Sequence, residues 1–410
     1  DAGRSSSSAP QMEGQRLNCA NAPKVFKIET VKIKAAQTEN RLFTAQPPVA
    51  AMPAVDRLMR QAVVEGVFPG AVLLVGAGGS VVVHAAYGVA DRLAMRPVTL
   101  NTIFDLASLT KPLATTLALM RLVQQGRLSP AQRLSEWVPE FGVGEKAAIT
   151  IAQLLTHTAG LPDYRPYYLE LAARPAPARP AWLRARLVRE PLLAFPGERV
   201  RYSDLGFMIL QWVVETVSGR PLDRYVSDEI YAPLGAAKSL FFIDLNREPP
   251  SGQIAATEQC TWRGRLITGE VHDENAHVLG GVAGHAGLFG TAEGVQRVLS
   301  ELVNAYHRGE GGALFEPRTV RRFAQRAPGT DRALGFDMPS SLQPSCGRFF
   351  PPASIGHLGF TGTSFWIDLE RRIMVILLTN RVHPSRTNIA IRAFRPQLHE
   401  AVMQALCAAG

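Results

Sequence analysis

The chain has 410 residues, 46% of them hydrophobic and 19% charged, a globular composition that excludes a wholly disordered protein and supplies apolar material for a sizeable core. Its net charge of +9 comes from dispersed Lys and Arg, which reads as a solvated basic surface and not as a nucleic-acid partner. Cys19, Cys260, Cys346 and Cys407 are too far apart for a C-x-x-C pair or a dense disulfide framework, no apolar run approaches a bilayer span, and Asp1 opens without a charged-then-apolar leader.

Residues 1–48 carry the run Ser5 to Ser8 and no sustained apolar period, so they read as a tail, a linker or a cloning remnant. Residues 49–410 then follow as one domain. An amphipathic helix is expected from Pro53 to Val64. Gly70-Ala-Val-Leu-Leu-Val75 and Val81-Val-Val-His-Ala85, separated by the glycines of 76–79, predict a hairpin.

The middle of the chain is helical in texture. Helices are expected over Leu109 to Gln125, closing at Gly126, over Ile149 to Thr156, and over Leu205 to Val217, closing at Gly219. Arg174 to Pro180 reads as a surface loop. Strands return at Phe360 to Ile367 and Ile373 to Thr379, around the turn Glu370-Arg371-Arg372, and Asn388 to Ala408 reads as a final helix. The expected class is therefore α+β. Strands from both ends (about 53–104 and 330–410) build one antiparallel sheet, with a helical region (about 105–329) inserted between them.

Three stretches carry chemistry. Phe104-Asp-Leu-Ala-Ser108-Leu-Thr-Lys111-Pro112 places a hydroxyl and an amine on one face at the mouth of a helix, because Pro112 is tolerated only in a first turn. The unpaired N–H groups and positive dipole end there would favour an oxyanion. Burial can lower a lysine's pKa enough for it to activate a serine. Alone, S-x-x-K is common by chance, and a capping serine with a surface lysine is the plainer reading. Tyr202, in Arg201-Tyr202-Ser203-Asp204, offers a phenol for proton transfer, or else Ser203 or Asp204 simply caps the helix that follows. Gly356-His357-Leu358-Gly359-Phe360-Thr361-Gly362 has glycines that would let another backbone or a ligand approach a strand, or that mark a bulge.

In joint order these motifs resemble the penicillin-recognising serine hydrolases, whose signature is S-x-x-K with a later K-T-G. The resemblance covers roughly Met52 to Ala405 and is closest to the branch of class C β-lactamases, D-alanyl-D-alanine carboxypeptidases, D-aminopeptidases and esterases. Leu154 to Leu161, Ala256 to Glu258, Glu270 to Asn275 and Gly284 to Phe289 also look like the low-molecular-weight penicillin-binding proteins of that branch. The resemblance implies Ser108 as acylated nucleophile, Lys111 as base or proton relay, and Tyr202 as general acid/base. It implies an oxyanion hole from the N–H groups of Ser108 and Phe360, and substrate contacts from Asp204, His357, Gly359 and Phe360. Asp204 stands where class C enzymes carry Asn, His357 where they carry Lys, and Leu358 where they carry Thr. Those departures weaken the expected grip on a penicillin carboxylate.

The expected activity is hydrolysis of a D-amino-acid peptide, a cell-wall-derived amide or a small ester, with weak β-lactam turnover and no cofactor. A true class C-like β-lactamase and a non-catalytic receptor for cell-wall fragments are the alternatives. His272, Asp273, Glu274, His277 and His285 are the densest set of metal-ligand types, but they lack H-E-x-x-H spacing and carry no expected metal. His157 with Asp163 suggests a triad, yet no serine sits in a G-x-S-x-G elbow. A peptidoglycan-derived substrate would place the protein outside the cytoplasm.

Overall fold

In the computed structural model, which describes residues 52–247, 253–307 and 314–409, the strand Gly70–Ala77 lies antiparallel to Ile373–Thr379 with Leu73 opposite Leu377. The two ends of the domain thereby meet in one sheet. Both strands are buried on both faces, so each reads as a continuous apolar run and not as an alternating one. The predicted tail at 1–48 lies outside the described residues.

The full sheet has eight antiparallel strands in the spatial order Arg96–Pro97, Ser80–Asp91, Gly70–Ala77, Ile373–Thr379, Ser364–Asp368, Ile355–Leu358, Phe336–Asp337 and Arg332–Ala333. Gly78 and Gly79, at φ 60° and 89°, make the tight turn that a two-residue hairpin loop requires. Alternate side chains face two cores. Ala71, Leu73 and Val75 pack under the helices Pro53–Val64 and Ile391–Ala409. Val72, Leu74, Phe365 and Ile376 face the inserted helical region.

At the centre of that region is the helix Asp204–Ser218. Ser203 caps it by accepting the Gly206 N–H, and Gly219 closes it at φ 73°. It is buried almost all round, which explains its apolar sequence. Among the described residues no helix is long and apolar enough to cross a membrane. Cys260 and Cys346 are buried free thiols.

Two expected elements differ in detail. The helix read over Leu109 to Gln125 has three parts: a 3₁₀ turn Ala107–Leu109, a wide π turn Lys111–Thr116, and regular α-helix over Leu117–Gln124. The strand read from Phe360 begins only at Ser364. Phe360 to Gly362 instead turn between two strands, with Gly362 at φ 101° where a Cβ would lie 2.1 Å from Thr379 Oγ1.

Candidate active site

The segment leading to Ser108 is anchored before it turns. Asp105 is buried and accepts the Ala107 N–H (2.8 Å) through one carboxylate oxygen and the His272 N–H (2.7 Å) through the other. Its carbonyl accepts the Thr361 hydroxyl at 2.8 Å. Burial nonetheless raises the Asp105 pKa above the usual carboxylate range. Ala107 is held at φ 47°, a conformation that costs a non-glycine residue energy and persists only where its surroundings over-determine it. The following residue, Ser108, is therefore presented half-buried at the start of the helical segment.

Lys111 is fully buried. Its Nζ donates to Ser108 Oγ at 3.1 Å and to the His285 carbonyl at 3.1 Å, and pairs with Asp204 Oδ1 at 2.7 Å. Burial works to lower its pKa, but Asp204 and Tyr202 outweigh that and raise it above the ordinary lysine value. Of the two opposing influences, desolvation and the neighbouring carboxylate, the carboxylate prevails. A carboxylate in contact favours the charged form more than desolvation disfavours it. Asp204, expected to contact substrate, is ion-paired with Lys111.

Tyr202 precedes Ser203, which caps the Asp204–Ser218 helix, so the capping reading of that motif does not compete for the phenol. Lys111 Nζ lies 4.9 Å from the centre of the Tyr202 ring, and burial, opposed chiefly by Lys111, keeps the phenol's pKa raised and the hydroxyl protonated. Three groups therefore gather around Ser108: a charged ammonium, a neutral phenol and, one step behind, a carboxylate.

The opposite wall carries the other residues expected to contact substrate. His357 is buried and neutral, its pKa pushed down to about 4 by burial, with Lys111 and Arg332 adding to the effect against Asp337. Its ring lies 6.1 Å from that of Tyr202. At Gly359 it is the protein's own chain that approaches closely. A Cβ there would lie 2.0 Å from Thr363 Oγ1 and 2.8 Å from the Leu106 carbonyl, so the missing side chain lets the turn pack against the Ser108 segment. Phe360 is 47% exposed, with its ring stacked on His272 at 5.6 Å and under Arg381 at 4.6 Å. Among the described residues no turn, loop or side-chain acceptor takes the N–H of Ser108 or of Phe360.

Sequence reasoning missed the role of His157. Its Nδ1 accepts the Ser203 N–H at 3.0 Å and its carbonyl the Arg201 N–H at 2.8 Å. Its ring rests on Tyr202 at 4.5 Å. The Leu154 to Leu161 stretch contains it, but nothing in that string says that its histidine clasps the peptide on either side of a residue 45 positions later. Asp163 offers Asp204 only its carbonyl, so no triad forms. Arg332 is a second unread neighbour, 5.7 Å from the Tyr202 ring and ion-paired to Asp337.

The metal-type residues are dispersed into separate pairs: His272 with Glu258, His277 with Glu270, and His285 with Asp273. Among the described residues no three such groups gather as a metal site. Arg386 bridges Glu258 and Glu274, which ties the 256–258 and 270–275 stretches into one rim.

The Beta-lactamase family profile matches residues 55–397. A protein of Escherichia coli (strain K12) with the provisional name D-alanyl-D-alanine carboxypeptidase is 32% identical over 359 residues, 80% of this chain and 82% of that protein. Among solved structures, EstCE1, a hydrolase with promiscuous acyltransferase activity, superposes with TM-score 0.64 at 25% identity, over 84% of this chain and 97% of that one. The octameric penicillin-binding protein homologue from Pyrococcus abyssi shares the fold at TM-score 0.63 and 22% identity, over 83% and 75%. With a serine, a lysine and a tyrosine gathered at one point of this fold, the chain belongs to the β-lactamase family of penicillin-recognising serine hydrolases.

Proposed function

We propose that the protein hydrolyses short esters and D-amino-acid amides of the kind found in peptidoglycan through an acyl-enzyme on Ser108, and turns over β-lactams poorly. The observation that carries this reading is the gathering around Ser108, with Lys111 Nζ 3.1 Å from its Oγ and that same Nζ 4.9 Å from the centre of the Tyr202 ring. Because Lys111 is held charged by Asp204, it acts as an electrostatic support and proton relay more than as a resting base. Tyr202 takes the Ser108 proton as it passes its own to the leaving group, so no free base is needed, and the adjacent ammonium stabilises the negative character that develops on the phenol oxygen. The unpaired N–H groups of Ser108 and Phe360 receive the oxyanion.

The weak lactam turnover follows from the other wall. A penicillin carboxylate would meet a neutral His357 and Leu358, and Asp204 repels a second anion. The carboxypeptidase name of the Escherichia coli relative and the hydrolase and acyltransferase activities of EstCE1 support a peptide or ester substrate, and a peptidoglycan origin would place the protein outside the cytoplasm. Intact-protein mass spectrometry after exposure to an aryl ester, a D-alanyl-D-alanine peptide and a penicillin tests the proposal. Adduct mass on Ser108, lost in Ser108→Ala with thermal stability nearly unchanged, is the expected result. Ester turnover persisting in Ser108→Ala would overturn it, and cephalosporin hydrolysis rivalling that of the best ester would overturn the recognition argument alone.

A further inference from the structure

Arg395 is a buried cation that nothing in the reaction so far uses. It sits on the helix Ile391–Ala409, on the face of the sheet away from Ser108, and is 5% exposed. Among the described residues it forms no ion pair with a carboxylate, and its Nε has no partner. A guanidinium buried without a counter-ion is costly, so its contacts matter. They are two backbone carbonyls of the Phe360 turn: Nη2 donates to the Gly359 oxygen at 3.1 Å and to the Thr363 oxygen at 2.8 Å.

The Gly359 carbonyl belongs to the same peptide unit as the Phe360 N–H. In a trans peptide the C=O and N–H point in opposite directions, and the Gly359–Phe360 bond is trans, the one cis bond among the described residues being His383–Pro384. With the carbonyl turned toward Arg395, the Phe360 N–H is directed the other way. On that other side the turn meets the Ser108 segment, where Thr363 Oγ1 donates to the Leu106 carbonyl and Thr361 Oγ1 to that of Asp105. The Gly359 N–H closes the turn onto the Thr363 carbonyl at 2.7 Å, so Arg395 grips both ends of it.

We propose that Arg395 is a positioning residue for the oxyanion hole, which acts through the Gly359–Phe360 peptide by fixing its direction and polarising its N–H toward the oxyanion on the far side of the sheet. A charge-assisted bond to a carbonyl draws electron density from the amide and strengthens the donor at its other end. Its charge is retained at neutral pH, since burial lowers the Arg395 pKa only to about 9. The proposal rests on the reading of Phe360 as an oxyanion donor.

The test compares Arg395→Gln and Arg395→Lys in the full chain, with an aryl ester as substrate and an aryl boronic acid as the ligand that places a tetrahedral oxygen in the hole. Removing one oxyanion donor outright costs on the order of a hundred- to a thousand-fold in kcat. Arg395→Gln, which weakens a donor without removing it, should lower kcat roughly ten- to a hundred-fold. KM should stay nearly constant and boronate affinity should fall in parallel. Arg395→Lys, which keeps a cation near the carbonyl, should recover most of both. The carbonyl stretch of the acyl-enzyme, read by isotope-edited infrared spectroscopy, should move to higher frequency in Arg395→Gln and much less in Arg395→Lys.

Wild-type kcat in Arg395→Gln overturns the proposal. So do equal losses in both variants that simply follow the fraction of folded protein. If Arg395→Gln does not fold, the infrared shift and boronate affinity of Arg395→Lys decide: a frequency or affinity change with kcat unmoved, or the reverse, breaks the link. Failure of the underlying reading looks different, because then the unsubstituted protein forms no Ser108 adduct.

Discussion

The two walls of the site are built on opposite principles. On the proton-handling wall every group is committed: Lys111 is fully buried and satisfied by Ser108, His285 and Asp204, and Tyr202 is clasped on either side by His157. On the recognition wall His357 is neutral and Phe360 is half in solvent, resting on His272 and Arg381. The contrast teaches where variation is tolerated. Moving a proton needs groups held to within tenths of an ångström, whereas selecting a substrate can be retuned by exchanging a side chain whose backbone is held independently, as the Phe360 turn is.

The largest effect that would sharpen this contrast lies on the committed wall. Tyr202→Phe keeps the ring against that of His157 and removes only the hydroxyl, so kcat for an aryl ester should drop on the order of a hundred- to ten-thousand-fold with little change in KM. Steady-state kinetics would check it. A wild-type kcat would make the tyrosine a packing residue and erase the distinction between the walls.

The recognition wall should announce itself through acid lability. His357 titrates at about 4 when folded against about 6.5 when unfolded. The unfolded chain therefore binds the extra proton first, and stability is fully present above about pH 6.5 and falls as pH drops toward 4. The depression corresponds to about 3 kcal/mol. Urea unfolding between pH 7 and 4 should show a shallower loss for His357→Gln than for the unsubstituted protein. An unchanged slope would place the acid sensitivity elsewhere.

The smallest effect separates Ser203 from its neighbour Tyr202. Ser203 caps the central helix and donates to the Pro162 carbonyl at 2.6 Å, so Ser203→Ala should cost about 1–2 kcal/mol in denaturant unfolding. Its kcat should remain within a few-fold of the parent, because His157 still holds the backbone on both sides of Tyr202. A collapse of kcat without loss of stability would show that the cap, and not His157, orients the phenol.

How much of this was readable in advance depended on whether the determining interaction was local. The strands at Gly70 and Ile373 as elements, the capped helix after Ser203 and the placing of Ser108 at a helix start all follow from apolar runs, glycine placement and capping, which act within a few residues. The Phe360 turn was misread as strand because its aromatic and threonine residues suit a strand, and only Gly362 packing on Thr379 bends the chain there. The roles of His157, Asp105 and Arg395 were invisible for a related reason: each is defined by a partner far along the chain and, in most cases, by backbone atoms that every sequence possesses.

The charge state of Lys111 marks the boundary most clearly. From the sequence alone, a lysine three residues after a serine at a buried helix start could be neutral or charged, since desolvation and a nearby carboxylate push its pKa in opposite directions. The order of residues determined that an amine would stand beside the nucleophile. Only the tertiary structure, by bringing Asp204 to 2.7 Å from Nζ, decided that the amine is charged, because Coulomb attraction depends on a distance between elements that no local pattern encodes.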